Sequence, residues 1–164
     1  MSNLVMTRID ARLIHGQVAV RWTKVTQAHK IVVIDNKTAK DEFLSEILLL
    51  AAPVGVKVVI YNEDQAVEEW KKDEFGTANT MIIFQNIDAA YRCYMAGIKY
   101  PFVNLGQSTK TPARTLRINS AAWATEQELD ELKQLHDAGV EVYSRPTPED
   151  PVVTFNDFYK RLKG

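Results

Sequence analysis

The chain is poor in the residues that most often announce a chemistry. One cysteine, Cys93, and three histidines occur in 164 residues. A single thiol excludes an internal disulfide framework and fits a reducing compartment. His15, His29 and His136 lie far apart, and no CxxC or HxxxH pair occurs, so no metal-ligand set is spelled out. Charge of one sign is missing too, with 20 Lys and Arg against 21 Asp and Glu and a formal net charge of −1. That balance offers no basic field for a nucleic-acid backbone and no cationic block for a membrane surface. The longest apolar runs, such as ILLLAAPVGV (47–56), contain Pro and Gly and are too short to span a bilayer. No basic stretch followed by an apolar one opens the sequence, so no secretory signal is expected and a cytoplasmic location is. GxxxxGK[ST], GxGxxG and GxSxG are all absent, which leaves neither a phosphate-binding loop for a nucleotide nor a serine nucleophile elbow.

What is present is the balance of an ordinary folded domain, 46% apolar and 25% charged, at a length that favours one domain over residues 1–164. Strand-like and helix-like runs alternate. LVMTRI (4–9), KIVVID (30–35), VKVVIY (56–61), NTMIIFQN (79–86) and FVNL (102–105) are apolar and partly β-branched. Between them, GQVAVRWTKVTQ (16–27) places Val18, Trp22 and Val25 at helical spacing. TAKDEFLSEILLLAA (38–52) places Phe43, Ile47 and Leu50 on one face and is stopped by Pro53. Segments 63–72 and 88–98 complete the next units, and 106–118 breaks the rhythm. SAAWAT (120–125) reads as a strand whose Thr125 caps a helix over 126–139. VEVYSR (140–145) closes the sheet, and PTPEDP is a stiff linker to a short amphipathic end, TFNDFYKRLK. Near-continuous apolar strands alternating with amphipathic helices predict an α/β fold: an open, mostly parallel twisted sheet with helices on both faces. In such sheets ligands bind beyond the carboxyl ends of the strands, at a switch in strand order.

The polar residues there begin with TRIDARLIHGQ (7–17). His15 sits where a loop meets a helix start, and a helix N-terminus stabilises an anion with unpaired N–H groups and partial positive charge. Gly16 lets the backbone approach closely. Arg8 and Arg12 add fixed charge and bidentate donors suited to phosphate oxygens. Asp10 is placed to accept from the imidazole or from loop amides. The sum is an imidazole facing a phosphoryl cradle, which suits two chemistries: binding a phosphorylated ligand without catalysis, or taking the phosphoryl group onto His15. A plainer alternative makes His15 a helix cap and pairs the arginines with Asp10 at the surface.

RIDARLIHGQVAVRW closely resembles the active-site segment of IIB subunits from the mannose–fructose–sorbose class of the bacterial phosphoenolpyruvate-dependent sugar phosphotransferase system. KIVVIDNKTAKDEFLSEILLLAAPVGVKVVIY, PFVNLG and GVEVYSRPTPEDP are similar to later parts of that family, so the resemblance covers nearly the whole chain. It implies that His15 is phosphorylated, with Arg8, Asp10 and Arg12 and the backbone of Leu13, Ile14, Gly16 and Gln17 holding the phosphoryl group. It also implies a IIA phosphocarrier as donor and membrane IIC and IID subunits presenting the sugar acceptor, with no cofactor. Its fold has an antiparallel edge. One departure stands out: the family's second glycine after N-x-G is replaced by Gln107, followed by Ser108.

Among other strand-end residues, Asp35 either faces the loop or caps a turn. Gln85, Asn104, Gly106 and Gln107 either line the cleft rim or satisfy turn backbone. Trp22 reads as core, with Arg21 and Lys24 beside it available to an acidic partner. Cys93, Trp70 and Trp123 read as packing residues, and His29 and His136 as surface. Phe155, Phe158 and Tyr159 pack either at home or in a homo-oligomer.

Overall fold

A computed structural model describes residues 3–164. Its first strand, β1 (Asn3–Asp10), leads into α1 (Gly16–Thr26), β2 (Lys30–Ile34), the short α2 (Asn36–Ala39), α3 (Glu42–Leu50) and β3 (Lys57–Tyr61). Then follow α4 (Glu63–Asp73), β4 (Asn79–Phe84), α5 (Ile87–Met95) and β5 (Phe102–Gln107). The remainder is β6 (Leu116–Arg117), β7 (Trp123–Ala124), α6 (Glu126–Asp137), β8 (Glu141–Ser144), β9 (Val153–Thr154) and α7 (Phe155–Lys163). Seven strands form one sheet in the order β3-β2-β4-β1-β5-β8-β9. Every neighbouring pair is parallel except β8 with β9. The α/β class and the antiparallel edge are as expected.

This order explains where a site can form. From β1 the chain runs outward to β2 and β3, then returns to β4 beside β1 and continues to β5 and β8. Reversing direction while each crossover stays right-handed places α1 and α3 on one face and α4, α5 and α6 on the other. Strand side chains divide accordingly. Ile31, Val33, Met81 and Ile83 pack with Trp22 and Leu48, whereas Val32, Ile34, Ile82 and Phe84 pack with Trp70, Leu132 and Phe158. Loops leaving β1 and β4 therefore diverge to opposite faces, and the crevice opens at the carboxyl end of β1. Each fully buried Ile, Leu or Phe in these layers contributes about 1.5–3 kcal/mol of transfer free energy.

Several boundaries differ from the pattern reading. The helix expected over 38–52 is two helices, because Asp35 accepts from the Thr38 N–H and Asp41 accepts from the Leu44 N–H. A second cap inside the run restarts the helix. Phe43, Ile47 and Leu50 do not form its inner face: Phe43 is 70% and Leu50 87% exposed, and Leu48 is the buried residue. EFLSEILLL is apolar nearly all round, so two faces satisfy helical spacing, and α3 turns the Leu44–Leu48 side inward. Val25 is likewise exposed on α1. The strand expected over 120–125 shrinks to β7, which pairs with β6 in a separate two-stranded ribbon. β8 does not close the sheet; β9 is the edge. His136 is half-buried rather than on the surface, stacked 4.5 Å from the Phe155 ring.

Other expectations match. Thr125 and Glu128 form a capping box at the start of α6. Phe155 and Phe158 are buried at home in the α4–α6 layer. Cys93 is buried, and desolvation pushes its thiol up to about 12, which removes thiolate reactivity near neutrality. Among the described residues no helix is long and apolar enough to cross a membrane.

Candidate functional site

The β1–α1 connection is built from below. Alternation along β1 sends Met6, Arg8 and Asp10 toward α1, and Ile9 toward the opposite layer. Arg8 is 3% and Asp10 1% exposed. The Arg8 Nη2 donates to Asp10 Oδ2 at 3.1 Å and to the Pro146 carbonyl at 2.8 Å. Asp10 Oδ1 accepts from the Arg12 N–H at 2.9 Å, and the Asp10 carbonyl accepts from the Leu13 N–H at 2.9 Å. Leu13 then adopts a left-handed conformation, φ +58°, a strain of about 1–3 kcal/mol held by burial of Leu13 and Ile14 against the α1 layer. Gly16 has φ +50° and carries the chain into α1 without a Cβ penalty.

His15 is exposed at the tip of this support. It occupies the N-cap position of α1 in extended conformation, yet its side chain makes no capping hydrogen bond. The first N–H groups of a helix have no intrahelical partner, so Gly16 and Gln17 present donors beside a free imidazole. Arg12 is 41% exposed, with Nε 3.8 Å from Asp10 Oδ1. This leaves the Arg12 side chain partly open to solvent, three residues before His15 in the same loop. The plainer alternative of a capping histidine above surface ion pairs does not describe this arrangement, since the imidazole caps nothing and the Arg8–Asp10 pair is interior.

Two grooves flank the loop. One of about 260 Å³ runs between Arg12 and Leu13 on one side and Asp35, Lys37 and Ile47 on the other. The second, about 280 Å³, is lined by Asn86, Thr109 and Arg114. Ala11 and Gln85 belong to both, and Gln85 Nε2 donates weakly to the Ala11 carbonyl at 3.4 Å. Asp35 is buried, accepting from the Thr38 hydroxyl and N–H while lining the first groove.

The remaining rim residues serve the frame. Asn104 is fully buried, donating to the Arg145 carbonyl at 3.0 Å and accepting the Arg145 N–H at 2.8 Å. Gly106 lies at an irregularity in the β1–β5 register, and a Cβ there would stand 2.3 Å from Arg8 Cζ. The Gln107 carbonyl accepts the Ala11 N–H at 3.1 Å, and its buried Oε1 has no hydrogen-bond partner among the described residues. Ser108 exchanges hydrogen bonds with the backbone of Trp123, which ties the end of β5 to β7. Arg114 grips Glu128 and donates to the Thr109 carbonyl, fastening the 109–118 loop to α6.

Sequence reasoning missed the segment after β8. Rather than a bare linker, 145–150 is a knot in which Thr147 donates to Asp150, and Arg145 donates to the Asp150 and Pro148 carbonyls. Trp22 Nε1 donates to the Pro146 carbonyl at 3.2 Å, and the guanidiniums of Arg8 and Arg145 lie 5.6 and 5.8 Å from its ring centroid. Arg21 pairs with Glu149 of the same knot. A signal was available for Arg8 alone: a charged residue in mid-strand of a sheet covered on both faces must be interior.

The geometry can be set beside known proteins. Over 157 residues the chain is 29% identical to the "PTS system mannose-specific EIIAB component" of Escherichia coli K12, covering 96% of this chain and 48% of that one. It thus spans about half the length of that relative. The "PTS system fructose-specific EIIB component" of Bacillus subtilis 168 is 30% identical across 100% of this chain and 98% of its own. The crystal structure of manxB from Thermoanaerobacter tengcongensis superposes with a TM-score of 0.91 at 34% identity, covering 98% and 97% of the two chains. The profile of the family described as "PTS system sorbose subfamily IIB component" matches residues 4–163. With that span including the β1–α1 loop and both layers beneath it, the chain belongs to the sorbose-subfamily IIB components of the phosphotransferase system.

Proposed function

We propose that this chain is a cytoplasmic phosphocarrier of a sugar phosphotransferase system, acting as one IIB domain with His15 as the residue that carries the phosphoryl group. The observation that supports this best is the uncommitted imidazole of His15, exposed at the start of α1 in the loop that also carries the part-exposed Arg12. An imidazole nitrogen attacks the phosphorus of a phosphohistidine on a IIA partner. The donor P–N bond breaks as the new one forms, and its electron pair returns to the donor imidazole, whose far nitrogen carries a proton so that it leaves neutral. The other nitrogen of His15 retains its own proton. Arg12 and the Gly16 and Gln17 amides stabilise the phosphoryl oxygens, and Asp10 keeps the loop in place. The group then passes to a sugar hydroxyl presented by membrane IIC and IID subunits: the P–O bond forms as the His15 P–N bond breaks, the hydroxyl proton leaves to solvent, and neutral His15 is regenerated. Donor and acceptor are both presented by other proteins, in keeping with a site at a protein surface rather than in an enclosed cavity.

Incubation with phosphoenolpyruvate, the upstream phosphotransferase proteins and a IIA subunit, followed by intact mass measurement, tests this reading. The expected product is one acid-labile phosphoryl group, lost completely in His15→Ala. An adduct that survives His15→Ala overturns the assignment of the residue. Saturable binding of a phosphorylated ligand with no adduct at all replaces the phosphocarrier by a non-catalytic module.

A further inference from the structure

The two arginines of the motif are held so differently that they cannot share a task. We propose that Arg8 is a positioning residue, which fixes the phosphoryl loop through Asp10 and the Pro146 carbonyl, and leaves contact with the phosphoryl group to Arg12. The proposal rests on the reading of His15 as the phosphoryl carrier.

Arg8 is enclosed on every side described. Its Nη2 bridges Asp10 Oδ2 and the Pro146 carbonyl, and its Nη1 lies 3.4 Å from the Arg145 carbonyl. The Trp22 ring covers one side, and Gly106 provides the only kind of residue that leaves room, since a Cβ would fall 2.3–2.6 Å from Cζ, Nη1 and Nη2. A planar fork can satisfy a carboxylate and two carbonyls at once, whereas an ammonium cannot hold that geometry. Three structural units meet on this group: β1 through Arg8 itself, α1 through Trp22 donating to the same Pro146 carbonyl, and the exit of β8 through residues 145 and 146. Asp10 transmits the constraint outward. With one oxygen on Arg8, its other oxygen takes the Arg12 N–H, and its carbonyl takes the Leu13 N–H. The loop bearing His15 thus inherits its place from a buried cation three positions before it starts.

A double-mutant cycle on the rate of phosphoryl transfer from a phosphorylated IIA subunit decides the point. Arg8→Met is expected to lower kcat about a hundredfold, the scale of a 1 Å misplacement, with the KM for the IIA donor little changed. Asp10→Asn lowers it similarly, and the double variant falls no further than the worse single one, because both act through one contact. Multiplied losses in the double variant overturn the proposal. Arg8→Lys, which keeps the charge and loses the fork, is expected not to restore the rate; full restoration overturns the proposal as well. Gly106→Ala keeps every charged residue and covers the case in which Arg8→Met does not fold. It should move the backbone amide signals of Arg12 and Leu13 in the unphosphorylated protein and slow transfer, and unchanged signals with an unchanged rate count against the proposal. Those amide signals need no phosphoryl chemistry. If wild-type His15 never becomes phosphorylated, the functional reading fails while the signals still decide the role of Arg8.

Discussion

Charge is buried under the β1–α1 loop and again between α5 and α6, and the two places are neutralised differently. Under the loop a cation faces an anion: Arg8 meets Asp10 at 3.1 Å, both nearly inaccessible. Burial lowers the Arg8 pKa, and the Asp10 carboxylate opposes that shift. Between the helices two acids face each other. Glu131 of α6 lies against Asp88 of α5, and burial first, then Asp88 and the charge of Glu128, push its carboxyl up to about 8 against the attraction of Arg92. Glu131 Oε1 and Asp88 Oδ1 are buried without a hydrogen-bond partner among the described residues, and a proton held between the two acids takes the place of the missing cation. The difference teaches what each solution can do. Opposite charges hold a fixed geometry at any pH near neutrality, which suits a loop that must present His15 in one place. Like charges joined by a proton hold their geometry only while the proton stays.

The largest way to break the comparison is to strip one partner from the ion pair. Asp10→Ala leaves Arg8 buried without its counter-ion and should cost about 3–5 kcal/mol, read as a shift of the urea midpoint at constant slope. A cost near that of an exposed pair would mean that Arg8 swings out to solvent. The second effect is smaller and depends on pH. The folded state holds the Glu131 proton up to about 8, whereas the unfolded carboxyl has released it above about 4.5. Unfolding therefore releases a proton in that window, so the contribution of this pair is fully present at acid pH, falls as pH rises through the window and is flat above about 8. Glu131→Gln should lack that slope, so that its stability difference from wild type changes with pH across pH 5–8. Parallel curves for the two proteins would show that no proton is shared. The smallest effect sharpens the contrast by leaving both clusters alone. Leu50→Lys on the exposed face of α3 should change stability by no more than about 0.5 kcal/mol, and a loss of several would mean that the face is covered in solution.

Legibility followed the range of the interactions. Continuous apolar, partly β-branched runs over 30–35 and 79–86 placed the central strands β2 and β4, because strands buried on both faces leave an unbroken apolar trace. The same reasoning failed on α3, where Phe43, Ile47 and Leu50 satisfy helical spacing as well as Leu44 and Leu48 do. Periodicity cannot choose a face when the helix is apolar all round and packs at the sheet's edge. At the site, the loop-to-helix position of His15 and the closeness of Arg8, Asp10 and Arg12 could be read from eleven consecutive residues. That Asn104, Pro146 and Trp22 join them could not, because those contacts cross more than a hundred positions for Pro146 and depend on the order of strands.

The sequence by itself determined the α/β class, the polar cluster at the end of the first strand and a histidine at a helix start, since each is set by neighbours within a few residues. Only the tertiary structure decided which groups enclose Arg8 and that Arg12 stays part-exposed. The sheet's alternation sends Arg8 toward α1, the β8 exit brings two carbonyls over it, and Gly106 leaves the space. The motif placed two identical cations four residues apart, and packing separated them into a foundation and a hand.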